Sequence, residues 1–161
     1  MRAVMRAEVT VAAPAASVWS YVTDWPRQGE WIPFTRVEEV DRGHQVGGRI
    51  RAWTGLGPVG FWDPMTITAW EESADGSARC EVLHTGSVLA GEGEFAVRTT
   101  GARSCTFSWW ERLAVPGGPV AALAWRAGGP LSQRAVQYSL HRMVARVEGR
   151  AEPHGNGRGQ G

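Results

Sequence analysis

Lysine is absent from this chain: all 17 of its basic residues are arginine. Asparagine is nearly absent too, occurring once, at Asn156. Together these shortages read as a GC-rich coding bias rather than as chemistry. A basic excess is also missing. The arginines meet 16 Asp+Glu for a net charge of +1, so nothing is left over to neutralise phosphates, and nucleic acid is excluded as the main partner. No apolar run approaches ~18 residues, so no stable membrane insertion is expected. Met1 to Thr10 carries Arg2, Arg6 and Glu8 and lacks the apolar centre of a secretory leader, which makes the cytoplasm the expected compartment. Cysteine is scarce, at two residues, Cys80 and Cys105, without Cys-x-x-Cys spacing. Neither stands beside a His, and no Gly-x-Ser-x-Gly elbow is present. Gly86 to Gly91 has the gap of a phosphate loop, but Glu92 stands where Lys is required.

What is abundant is tryptophan, with nine residues. Each brings a flat apolar body and one N–H donor, suited to filling a core or walling an apolar pocket. The length of 161 residues suits one domain that buries roughly 70% of its unfolded surface, enough for a core and a modest cavity. Residues 1–150 are expected to form that domain. Residues 151–161, rich in Gly, bury too little to order themselves and read as a disordered tail.

The chain is organised around Leu131 to Arg150. Val136, Leu140, Met143, Val144 and Val147 recur at a 3.6 period, which predicts one long amphipathic helix. Upstream, Arg6 to Val11 alternates as a strand. Pro14 to Asp24 reads as a helix with Pro14 at its first position and Pro26 behind its stop. Arg27 to Trp31 offers one further turn. Strands follow over Phe34–Asp41, Arg49–Thr54, Phe61–Glu71, Arg79–His84, Val88–Arg98 and Arg103–Leu113, with turn signals between them. Pro64 suggests an edge or a bulge. Pro116 to Pro119 reads as a loop, Val120 to Ala127 as a weak helical turn, and Gly128-Gly129-Pro130 as a break before the long helix. The order β-α-α-β-β-β-β-β-β-α is an α+β architecture: a seven-stranded curved antiparallel sheet, with two short helices after strand 1, wrapped around a long C-terminal helix. In it the two cysteines sit two strands apart, roughly 10 Å at ~4.8 Å per strand, beyond disulfide reach, and read as buried thiols.

Period-2 parity then nominates a site. Asp63 shares a side with Met65, Ile67 and Ala69. His84 shares one with Cys80 and Val82. Glu111 shares one with Cys105, Phe107, Trp109 and Leu113. Leu89, Gly91, Gly93, Phe95 and Val97 share another, and the inward glycines leave room. Asp63, His84 and Glu111 are therefore the titratable groups facing one apolar space, where burial raises carboxyl pKa values toward general acid/base range. Each has a plainer reading: Asp63 before Pro64 as a turn residue, His84 as a rim histidine, and Glu111 as the partner of an arginine. A facial metal triad lacks any paired spacing, so no metal or other cofactor is assigned. The candidate ligand walls are Trp53, Trp62, Met65, Ile67, Val82, Phe95, Phe107 and Trp109, with Gln133, Gln137 and Leu140 from the final helix.

The stretches VAAPAASVWSYVTDWPRQGEWIPF, GLGPVGFWDPMTITAWEE, HTGSVLAGEGEFAV and WWERL, followed by the final helix, resemble the START/Bet v 1-like (SRPBCC) superfamily. Within it they are similar to the bacterial polyketide cyclase/dehydrase and lipid-transport branch. The resemblance spans Arg6 to Arg150 and implies a helix-grip fold with a largely apolar tunnel between sheet and final helix. It carries no universal catalytic motif. The expected partner is thus an apolar small molecule, aromatic or polyketide-like or a lipid, with cyclase or dehydrase chemistry open. A non-catalytic lipid or isoprenoid carrier is the alternative, as is an interaction module presenting Trp110 and Trp125. A homodimer stays open as the assembly.

Overall fold

The computed structural model describes residues 2–114 and 118–151, with side-chain surroundings for residues 4–114 and 133–149. Seven strands are built: β1 (Arg2–Val11), β2 (Thr35–Asp41), β3 (Arg49–Leu56), β4 (Val59–Glu72), β5 (Ala78–Thr85), β6 (Ala90–Gly101) and β7 (Ser104–Ala114). Between β1 and β2 stand α1 (Ala15–Val22) and a 3₁₀ turn (Trp25–Glu30); after β7 comes α2 (Gly118–Ala151). The sheet is antiparallel, in the order β1-β7-β6-β5-β4-β3-β2. This is the helix-grip arrangement of an α+β fold expected from the residue pattern.

β2 to β7 run as successive hairpins, while β1 returns beside β7. Neighbours in sequence, β1 and β2 therefore lie on opposite edges, and α1 with the 3₁₀ turn carries the chain across. Pro14 is the residue before α1 rather than its first member. Its carbonyl accepts the N–H of Ser17 at 3.0 Å and of Val18 at 3.2 Å. The helix ends at Val22, where Thr23 turns both its N–H and its hydroxyl onto the Trp19 carbonyl.

α2 is longer than the sequence pattern predicts. It begins at Gly118 and runs through Gly128-Gly129-Pro130 without a break. A glycine ahead of a proline has no Cβ, which removes part of the clash that usually bars the α-conformation there. The expected loop over Pro116–Pro119 lies, for residues 116 and 117, outside the described residues, as does the expected tail from residue 152 on. Pro64 also departs from expectation. It lies inside the sheet, opposite Arg51 of β3, just past Met65↔His84, the last pair of the β4–β5 ladder. The bulge in β4 lies between Ile67 and Ala69. It reverses the strand's parity, so that Trp70, not Ala69, turns inward to pack on Trp19 at 5.2 Å.

Val136, Leu140, Met143 and Val147 of α2 are buried against the sheet. Gln133 Nε2 donates to the Arg6 carbonyl at 2.9 Å, Arg142 to the Glu30 carbonyl at 2.9 Å, and the Ala12 N–H to Glu148 at 2.8 Å. The core fills one end of the curled sheet. Val11, Val97, Cys105 and Phe107 are sealed there under α1, with Trp25 and Trp31. Phe107, Phe95, Trp31 and Trp109 meet ring to ring at 5.3–6.2 Å. The opposite end, beyond Met65 on β4 and Gly93 on β6, is not closed by packing. Phe107 has no exposed surface and is ringed by aromatic neighbours, so Phe107→Ala should lower stability by about 3–5 kcal/mol. Urea unfolding followed by tryptophan fluorescence measures this; a loss below about 1 kcal/mol would mean that the aromatic cluster does not hold this end.

Candidate active site

A cavity of about 880 Å³ occupies the open end, between the sheet and α2. Its sheet wall is mostly apolar: Met5, Ile50, Met65, Val82, Phe95, Trp109 and Leu113. The 3₁₀ turn and its neighbours add Trp25, Gln28 and Ile32, and α2 adds Arg134, Tyr138, Ser139 and Arg142. Curvature makes the space and alternation decides what faces it: β4, β5 and β7 each send every second side chain inward.

Three of those inward side chains are Asp63, His84 and Glu111. Met65 of β4 pairs with His84 of β5, and Gly93 of β6 pairs with both Val82 of β5 and Glu111 of β7. Asp63 and His84 are buried, at 6% and 5% exposure. His84 Nδ1 donates to Asp63 Oδ2 at 2.8 Å. Asp63 Oδ1 and His84 Nε2 are buried without a protein hydrogen-bond partner. Glu111 accepts a hydrogen bond from Trp109 Nε1 at 2.9 Å. What surface it has borders the cavity, with protein packed around its carboxylate.

Burial and neighbouring charge set the proton affinities of His84 and Glu111. Burial pulls the His84 imidazolium down, but the hydrogen bond and charge of Asp63, with the charge of Glu111, outweigh it and hold its pKa above the usual 6.5. Burial pushes the Glu111 carboxyl above its usual 4.5; the nearby His84 and the Trp109 N–H only partly offset this, and Asp63 adds to it. The cluster thus combines a carboxyl poised to give or take a proton with an imidazole whose outer nitrogen is buried without a protein hydrogen-bond partner. Cys80 also lines the cavity, but burial pushes its thiol up to about 12, so it is no nucleophile. Both cysteines are free and buried, on strands separated by β6. Among the described residues no group of three His, Cys, Asp or Glu side chains is arranged to hold a metal ion, and no helix is long and apolar enough to cross a membrane.

Of the other residues nominated from sequence, Met65, Val82, Phe95 and Trp109 line the cavity. Trp53 and Trp62 do not. They pair with each other on the outer face, rings 5.5 Å apart, with Arg36 and Arg51 over the Trp62 ring. Alternation requires this, since Trp62 adjoins inward Asp63 and Trp53 adjoins inward Ala52. Ile67, Phe107 and Leu140 face inward but are sealed within the packed core instead of bordering the space. Gln133 is spent on the β1 backbone, and Gln137 bonds to His141 at 3.2 Å on the exposed side. The flank of α2 that meets the cavity is instead Arg134, Tyr138 and Arg142, spaced by four. Met5 lines the cavity as well, continuing the alternation of Ala7, Val9 and Val11. Trp110 is half-buried with Arg112 over its ring; the surroundings of Trp125 lie outside the described residues.

The family model described as "Polyketide cyclase / dehydrase and lipid transport" matches residues 2–148. Similar solved structures include the Zhui aromatase/cyclase from Streptomyces sp. R1128. It is 18% identical with a TM-score of 0.73, covering 96% of this chain and 99% of that one. TTHA0849 from Thermus thermophilus is 16% identical with a TM-score of 0.75, covering 93% and 100%. A START superfamily protein from Mycobacterium smegmatis is 16% identical with a TM-score of 0.65, covering 92% and 99%. At these identities the likeness is one of fold. No functionally curated protein matches the chain by sequence.

The raised pKa values have a consequence for stability. For Glu111 and His84 alike, the folded state favours the protonated form. The stability they contribute is full below the unfolded values, 4.5 and 6.5, and is lost as pH rises through the higher folded values. Melting temperature should therefore fall as pH is raised from 4.5. Glu111→Gln, which can still accept from Trp109, should fall less steeply and gain on the native chain toward about pH 8. Parallel curves for the two proteins would show that Glu111 ionises as freely in the fold as outside it.

Proposed function

Because the chain belongs to the polyketide cyclase/dehydrase and lipid-transport family, we propose that its cavity takes an aromatic or polyketide-like ketone and catalyses ring closure or loss of water by acid–base chemistry. The observation that carries this reading is the Asp63–His84 pair beside Glu111 in an otherwise apolar cavity. Burying three titratable groups is costly, and a container for apolar molecules has no use for them. A proton-transfer site does.

The chemistry follows from the two raised pKa values. Ionised Glu111 is a stronger base than an ordinary carboxylate and takes a proton from the carbon next to the ketone. The electron pair forms the new C=C bond of the enone, and the hydroxyl on the next carbon departs as water with the proton of the His84 imidazolium. Asp63 stabilises that imidazolium and fixes its ring, so that Nε2 is the nitrogen presented to the ligand. In ring closure, the same carbanion attacks a second carbonyl and His84 protonates the alkoxide. The working form has Glu111 ionised and His84 protonated. Activity should therefore rise in a limb above pH 4.5 and fall in a limb above pH 6.5.

A second reading, a non-catalytic carrier, has the apolar lining and the lipid-transport part of the family description in its favour. The two separate in one assay. With 4-hydroxy-4-(2-naphthyl)butan-2-one as substrate, the enone absorbance should grow on adding the protein. Glu111→Gln or His84→Asn should slow it by about 10²–10⁴-fold with the fold intact. No acceleration with this or a related β-hydroxy ketone, together with lipid seen by native mass spectrometry of the purified protein, would establish the carrier instead.

A further inference from the structure

The wall that α2 gives the cavity is charged where the sheet wall is apolar. Arg134, Tyr138 and Arg142 border the space and, spaced by four, stand in one row along the helix. Two tethers fix how that row is turned: Gln133 Nε2 donates to the Arg6 carbonyl and Arg142 to the Glu30 carbonyl of the 3₁₀ turn, each at 2.9 Å. Arg134 and Tyr138 are exposed, as is Phe34, another lining residue, so the row stands where the cavity opens to solvent. Neither arginine is used up by the fold. Arg134 makes no hydrogen bond or ion pair among the described residues, and Arg142 spends one nitrogen on Glu30 and lies over the Tyr138 ring at 5.8 Å. Three carboxylates line the same cavity, yet none pairs with either arginine. Asp63 holds His84, Glu111 takes the Trp109 N–H, and Glu94 faces Arg79 at 3.7 Å.

We infer that Arg134 and Arg142 form an anion site at the cavity mouth, selecting ligands whose apolar body ends in a carboxylate or phosphate. This rests on the cavity being the ligand site and adds to it the charge of what is admitted. The two arginines are eight residues apart, about 12 Å along the helix, a gap that two such long side chains close from either side above Tyr138. A guanidinium fork matches the oxygens of a carboxylate or a phosphate. Arg142 keeps donors beyond the one tied to Glu30, and the Tyr138 hydroxyl, which bonds to no described residue, adds another. At a solvent boundary the anion keeps part of its hydration, so its capture costs little desolvation. Deeper in, it would meet the carboxylates of Asp63 and Glu111. The charge pattern therefore also fixes direction, with the anionic end outward and the apolar body inward.

The test compares three ligands with one body and different ends, by equilibrium dialysis at low salt: 4-(2-naphthyl)butanoate, its neutral amide 4-(2-naphthyl)butanamide, and 3-(2-naphthyl)propyl phosphate. The native protein should bind at least one of the anions about ten-fold more tightly than the amide, and the preference should shrink as salt is raised. The anion that gains more identifies the head group. Arg134→Gln should reduce the preference by about five-fold and leave the Kd of the amide unchanged. Because Arg134 is exposed and bonded to nothing in the fold, this variant reads recognition rather than folding. Arg103→Gln removes a cation from the exposed β6–β7 turn at the packed end and should keep the native preference. Equal affinity of the native protein for all three ligands, or an equal loss of preference in the two variants, overturns the anion site while leaving the cavity as the ligand site. Failure of the native protein to bind any of the three overturns the cavity reading and this inference with it.

Discussion

The hydrogen bond between Asp63 and His84 is what the chemistry of this molecule depends on. Two ionisable side chains, each almost wholly buried, stand in a wall of methionine, valine and aromatic residues. Neither could be there without the other, because an unpaired charge in such a place costs several kcal/mol. The pairing consumes one atom of each and leaves Asp63 Oδ1 and His84 Nε2 unmatched. Polar interiors are normally satisfied. Both unmatched atoms belong to residues that line the 880 Å³ cavity.

The scaffold supports this by dividing its interior into two ends. At the end near Val11 and Cys105, α1 and the 3₁₀ turn supply Trp19, Trp25 and Trp31, and the space is filled. At the other end the curled sheet diverges from α2, and Tyr138, Arg134 and Arg142 border a void instead of plugging it. The same tryptophan-rich composition thus serves as filler at one end and wall at the other. Trp109 does both: it packs on Phe95 and Trp31 while its N–H holds Glu111.

Much of this was legible in the residue pattern because strand parity is strict. Counting by twos along three strands put Asp63, His84 and Glu111 on inner faces, and the register brings these strands together. The same rule sends Trp53 and Trp62 outward, because Trp53 adjoins inward Ala52 and Trp62 adjoins inward Asp63; aromatic character alone does not make a wall. The β4 bulge was illegible, since nothing in Ile67-Thr68-Ala69 announces an extra residue, and it alone decides that Trp70 rather than Ala69 packs inside. On α2 the apolar stripe was clear but its flanks were not. Gln137 and Tyr138 are neighbours about 100° apart on the helix, and only tertiary packing determines which flank meets the cavity. The helix start was hidden by Gly128-Gly129-Pro130, whose local preference is overridden in the fold.

The most direct test of the account is the state of His84 itself, read by ¹⁵N–¹H NMR of the imidazole rings across a pH titration. The structure requires an Nδ1–H donated to Asp63 and a midpoint above 6.5, with the neutral form showing Nε2 as the unprotonated nitrogen. A midpoint at or below 6.5 with the proton on Nε2 would mean that Asp63 does not hold this imidazole, and the proton-transfer site described for the cavity would not exist.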